Sequence, residues 1–323
     1  MIPRFLRNTS AIAAAAAVLL VTTSGATAAA TCDPAGPKPL DQAHAHNDYE
    51  HDRPLFDALD HGFGSVEADV WLVDGELLVA HDAGDVDPER TLQSLYLDPL
   101  SQIVADNGGA VYPDWDGSLQ LLIDIKSDGE DTYRAIDKVL TKYADIMTRF
   151  ADGDVESNAV TAVISGNRPR DVMEDQKVRY AGYDGRLSDL GTDTPADFMP
   201  LVSDNWGKNF SWNGDGEMPA DQRDKLRDIV TQAHESGYQV RFWATPDEAG
   251  ANREAVWREL VEAEVDYLNT DDLAGLRDFL VDDISSLPLY WPLCQTPTHS
   301  NCVTVDCFGP TRPAIAPNAA RRS

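Results

Sequence analysis

Residues 44–82 read HAHNDYEHDRPLFDALDHGFGSVEADVWLVDGELLVAHD and hold five of the chain's seven histidines. Within them, 65–72 is a β-type run in which Val66, Ala68 and Val70 alternate with Ser65, Glu67 and Asp69. A helix-period segment, 54–61, precedes that run, and an earlier apolar run at 40–46 precedes the helix. After it, 72–79 reads as a hairpin turning on Asp74-Gly75. Strand, helix, strand is the opening of a parallel sheet, so the remaining question is how often the unit recurs.

Six more strand runs follow, at 119–126, 159–165, 179–182, 200–204, 239–244 and 266–269. Helical patterns occupy 130–149, 169–176, 220–236, 252–264 and 271–283. Pro219 opens one of them and Gly237 closes it, the usual placement of these two residues. Eight strands alternating with helices predict an α/β fold closed as a (β/α)8 TIM barrel. An open doubly wound sheet is the rival, but no G-x-G-x-x-G follows the first strand.

The ends read differently. Arg4 and Arg7 precede an apolar run from 11 to 21 and an Ala-rich A-x-A site near 28–30, the pattern of a signal peptide over 1–30. The barrel is assigned to 31–285, and 286–323 is a Pro-rich, Cys-containing tail. Cys32, Cys294, Cys302 and Cys307 flank the barrel. An even count in an exported chain suggests two disulfides, with three possible connectivities; a zinc site using His299 matches no usual spacing. The expected setting is secreted and extracellular. With 26 Lys+Arg against 55 Asp+Glu the net charge is −29, which disfavours nucleic acid and anionic membrane surfaces as partners. No later stretch is long enough to span a bilayer, so no stable membrane insertion is expected. A monomer is expected.

Strand residues two apart share a side, and barrel sites lie at the C-terminal strand ends. Glu67 and Asp69 therefore project together, and Asp124 and Lys126 do so at the end of the third strand. Three carboxylates at one mouth repel without a cation, and an all-oxygen set suits one divalent ion, Mg²⁺ or Ca²⁺. Glu67, Asp69 and Asp124 are thus candidate metal ligands, with Lys126 pairing as the rival explanation. His46 and His81 flank them as an acid–base pair. His44, one layer deeper, is read as a supporting group, and His51, His61, His234 and His299 as structural.

Assembled in order, His46-Asn47-Asp48-Tyr49, Glu67-Ala68-Asp69, Ala80-His81-Asp82, Asp124-Ile125-Lys126, Ser203-Asp204-Asn205-Trp206, Val240-Arg241-Phe242-Trp243 and Asn269-Thr270-Asp271-Asp272 resemble the phosphatidylinositol-phospholipase-C-like and glycerophosphodiester phosphodiesterase superfamily. The nearest branch is the one containing the altered-inheritance-of-mitochondria proteins. The resemblance implies cleavage of a small-molecule or lipid-derived phosphodiester, His46 and His81 as catalysts, Lys126 as a phosphate contact and Trp243 as a wall for the alcohol. Asn47 stands where glycerophosphodiesterases carry a phosphate-holding Arg, and Asp124 where they usually have Glu. Two other readings are an amidohydrolase-type metal hydrolase, for which His44-x-His46 lacks later histidine ligands, and a non-catalytic secreted binding barrel.

Overall fold

The structure, a computed structural model, describes residues 37–151 and 153–283. The expected signal peptide, the four cysteines and the Pro-rich tail lie outside the described residues. Eight parallel strands form the barrel: β1 (Leu40–Ala45), β2 (Phe63–Val73), β3 (Leu119–Ile125), β4 (Val160–Gly166), β5 (Ala181–Gly185), β6 (Leu201–Asn205), β7 (Gln239–Trp243) and β8 (Tyr267–Thr270). Each pairs with its neighbour in chain order, and β1 pairs with both β8 and β2, so the sheet closes as a (β/α)8 barrel.

The alternation in β2 sets its two faces. Val66, Ala68 and Val70 turn outward and are fully buried in the core beneath the helices, together with Leu121, Ile123, Ala162 and Ile164. The inward residues are mostly polar. Among the described residues, Leu122, Val163, Leu201 and Tyr267 form a separate apolar cluster within the barrel. That plug carries a layer of charged and hydroxyl side chains above it, towards the C-terminal strand ends.

Strand β2 runs past the barrel into a hairpin with Glu76–Val79, where Asp74 (φ 52°) and Gly75 (φ 89°) form the turn. Both residues lie in the left-handed region that a two-residue hairpin needs. The hairpin returns the chain to the mouth: the Ala80 amide donates to the carbonyl of Asp69 at 3.2 Å, and His81 follows.

Several elements depart from the sequence reading. The helix expected to run from 130 to 149 is Gly129–Leu140, started by Asp128, whose carboxylate accepts the Asp131 amide at 3.1 Å. Arg149–Ala151 is instead the middle strand of a small antiparallel sheet, between Asp154–Glu156 and Val178–Arg179. The 179–182 run accordingly divides, Arg179 joining that sheet and Ala181 and Gly182 entering β5. An additional helix, Asp98–Asp106, opens with Pro99 in its first turn, where a missing amide costs nothing.

Candidate active site

Glu67, Asp69 and Asp124 come together at the barrel mouth, with one oxygen from each lying within 4.8 Å of the others. Asp69 and Asp124 are register partners on β2 and β3, and Glu67 lies one inward step below Asp69. Space for Asp124 comes from the facing strand end. A methyl group on Gly166 (φ +66°) would lie 2.1 Å from Asp124 Oδ1, so glycine is required there for both conformation and room.

The charges around this trio are unequal to it. Lys126 Nζ lies 3.0 Å from Asp69 and 3.4 Å from Asp124. Arg241, buried on β7, donates from Nη1 to Glu67 Oε2 at 3.0 Å. Two cations therefore face three carboxylates. Burial alone would raise the Glu67 pKa; Arg241 and His44 more than reverse this and hold the carboxyl below its usual range. Asp69 is pushed up to about 6, by burial and then by Glu67. Asp124 is likewise raised by burial. Asp69 Oδ1 is buried without a hydrogen-bond partner, while Oδ2 accepts the Tyr49 hydroxyl at 2.6 Å. An oxygen-only trio with surplus negative charge and an orphaned buried oxygen fits a hard divalent cation.

His46 follows β1 and its Nδ1 meets Asp271 Oδ1 at 2.7 Å. Burial opposes its charge, but the Asp271 hydrogen bond and the Glu67 field prevail, so its pKa lies above the ordinary value. Asp271 is itself anchored, its amide donating to Asp247 Oδ2 at 2.6 Å. His81 is the more exposed of the pair, with Nδ1 3.6 Å from Asp82 Oδ2. His44 is fully buried: Nδ1 lies 2.7 Å from Ser65 Oγ, which accepts from Gln120, and Nε2 adjoins both Glu67 and Arg241. Burial, then Arg241, lowers its pKa to about 4, so it stays neutral and braces Glu67. With both nitrogens engaged it offers no free edge to a metal.

Asn47 adopts φ 46°, and its side-chain oxygen accepts the Tyr49 hydroxyl at 2.8 Å. Trp243 ends β7 opposite Asn205, half-buried, with Lys208 Nζ 5.9 Å from its ring centre. Sequence reasoning assigned no role to Tyr49, Arg241 or Asp271. A charged residue at an inward position of the apolar run Val240-Arg241-Phe242 was the available signal for Arg241.

Asp48 supports the loop from beneath. Fully buried, it accepts the Leu55 amide at 2.6 Å and the Tyr96 hydroxyl at 2.9 Å, and burial pushes its pKa up to about 7. The folded state thus keeps a proton that the unfolded chain loses near pH 4. The Asp48 contribution is largest in acid and falls as pH rises towards about 7, by at most ~1.4 kcal/mol per pH unit. Asp48→Asn should remove that slope, so wild type and variant diverge above about pH 4 in urea melts of the metal-free protein. Parallel stability curves would contradict this.

The closed (β/α)8 barrel and the family models that match it define the class as a phosphodiesterase-type barrel. A family model described as an AIM6-like phosphodiesterase domain matches residues 38–184, and one for the glycerophosphoryl diester phosphodiesterase family matches 239–274. Altered inheritance of mitochondria protein 6 from Eremothecium gossypii is 32% identical over 270 residues, covering 74% of this chain and 69% of the relative. Its homolog from Arthroderma benhamiae is 31% identical, covering 73% and 82%. The chain belongs to the altered inheritance of mitochondria protein 6 family. A glycerophosphoryl diester phosphodiesterase crystal structure from Parabacteroides distasonis superposes with a TM-score of 0.46 at 11% identity, covering 78% of this chain and 89% of that one. Among the described residues, no helix is long and apolar enough to cross a membrane.

Proposed function

We propose that the protein is an exported, metal-dependent phosphodiesterase that cleaves a small-molecule or lipid-head-group phosphodiester. The observation that carries this reading is the convergence of Glu67, Asp69 and Asp124 around an unpartnered buried oxygen, beside a histidine oriented by a carboxylate. Glu67, Asp69 and Asp124 would hold Mg²⁺ or Ca²⁺. When bound, such an ion neutralises charge growing on the phosphoryl oxygens.

The chain's own groups supply the proton transfers. With Nδ1 committed to Asp271, His46 presents Nε2 as its working atom. One histidine of the pair His46 and His81 takes the proton of the attacking water or substrate hydroxyl as the new P–O bond forms. The other gives a proton to the leaving oxygen as the old P–O bond breaks. Lys126 contributes positive charge on the same side of the mouth, and Trp243 an apolar wall for the alcohol.

Turnover of bis-p-nitrophenyl phosphate should disappear with EDTA and return with Mg²⁺ or Ca²⁺. His46→Ala and His81→Ala should each lower kcat by about 10²–10³-fold, in line with general acid–base contributions. Full activity in both histidine variants, or activity indifferent to EDTA, would rule the scheme out.

A further inference from the structure

Arg186 lies just beyond β5, two residues after Asp184, and so shares its inward direction at the mouth. Asp184 is completely buried and accepts from Ser165 Oγ at 2.6 Å and Ser203 Oγ at 2.7 Å, so three adjacent strands converge on it. Its Oδ2 accepts Arg186 Nη1 at 2.7 Å. The same nitrogen also donates to Gly185 O at 2.8 Å and Ser203 Oγ at 3.3 Å. The Arg186 backbone is fixed as well, its amide donating to Asp189 Oδ2 at 2.8 Å.

All of this anchoring falls on one guanidinium nitrogen. Nε and Nη2 donate to no group among the described residues, and the side chain remains 28% exposed. Three N–H donors are therefore held on a rigid plane and left to solvent. Asp124 lies near the end of β3, two strands from β5, and the charges of Asp204 and Asp124 both act on Arg186. Lys126 is paired with Asp69 and Asp124, and Arg241 with Glu67 and His44. A planar fork with fixed geometry matches two oxygens of a phosphate better than an ammonium does.

We propose that Arg186 is a substrate-binding residue that grips a phosphate oxygen of the diester through its free Nε and Nη2 donors, with the Ser165–Asp184–Ser203 cluster acting as its mount. Its link to a diester rests on the phosphodiesterase reading above, whereas phosphate capture is measurable without turnover.

The test titrates inorganic phosphate into the full-length, Mg²⁺-loaded protein by calorimetry, for wild type, Arg186→Met and Arg186→Lys. Arg186→Lys keeps a positive charge beside Asp184 and guards against loss of folding, which melting curves check. Both variants should weaken phosphate binding, Arg186→Met by roughly tenfold to a hundredfold, the range for a charged hydrogen bond. Mg²⁺ affinity should stay unchanged. For bis-p-nitrophenyl phosphate, KM should rise by a similar factor, with kcat affected less. Undiminished phosphate binding in both variants, no phosphate binding by the wild type, or a parallel loss of Mg²⁺ affinity would each overturn the proposal. Phosphate binding lost in the variants without diester turnover by the wild type would uphold Arg186 and defeat the diesterase reading. Turnover with KM unchanged in both variants would do the reverse.

Discussion

Glu67→Gln should reduce phosphodiester turnover by more than about 10⁴-fold, the equivalent of several kcal/mol of electrostatic stabilisation at the transition state. The substitution conserves volume and leaves an oxygen in place, so its effect falls on charge. Glu67 is the deepest of the three carboxylates, the one braced by His44 and neutralised by Arg241. Without its charge, Arg241 and Lys126 balance Asp69 and Asp124, and the surplus that attracts a divalent ion is gone. The same variant should lose the rise in Tm that Mg²⁺ or Ca²⁺ gives the wild type, a readout independent of catalysis. A variant that retains both turnover and metal-induced stabilisation would remove Glu67 from the centre.

The parts of this site legible in the sequence were those written in local periodicity. The alternation through 65–70 located two carboxylates on one face, and Asp74-Gly75 announced the hairpin that brings His81 back. Asp124 was reachable by the same parity argument on β3. The parts missed depend on contacts between distant strands. Arg241 meets Glu67 across 174 residues, and Asp271 meets His46 across 225. No periodicity states which of the neighbouring Asp271 and Asp272 faces His46, just after β1. The small sheet was hidden for the same reason: Arg149–Ala151 continues a helix-compatible run until Val178–Arg179 pairs with it. The helix Asp98–Asp106 was not among the expected segments, and Pro99 stands in its first turn, where proline is tolerated. The barrel strands other than β5 resisted such errors because their outward faces are apolar whatever their partners.

Arg241→Met should cost the metal-free protein about 3–5 kcal/mol, the range for breaking a buried ion pair from one side. Methionine fills much of the volume, so the loss is chiefly that of a charge. The remaining neighbour, His44, is neutral at pH 7 because burial and then Arg241 depress its pKa to about 4, and it cannot replace the guanidinium unless it takes up a proton. The pH dependence then separates charge from packing. In the wild type the Glu67 pKa is depressed, so its contribution is present above the unfolded carboxyl pKa and is lost only as pH falls through the folded value. In the variant only His44 and His46 still oppose burial, so that pKa should rise and stability should fall as pH climbs through the new value. Chemical denaturation should therefore show a smaller deficit at pH 5 than at pH 8. Mg²⁺ should recover part of the pH 8 deficit, because a divalent ion at Glu67, Asp69 and Asp124 restores positive charge beside the stranded carboxylate. An equal deficit at both pH values, insensitive to Mg²⁺, would mean that Arg241 serves packing alone and that Glu67 needs no counter-charge.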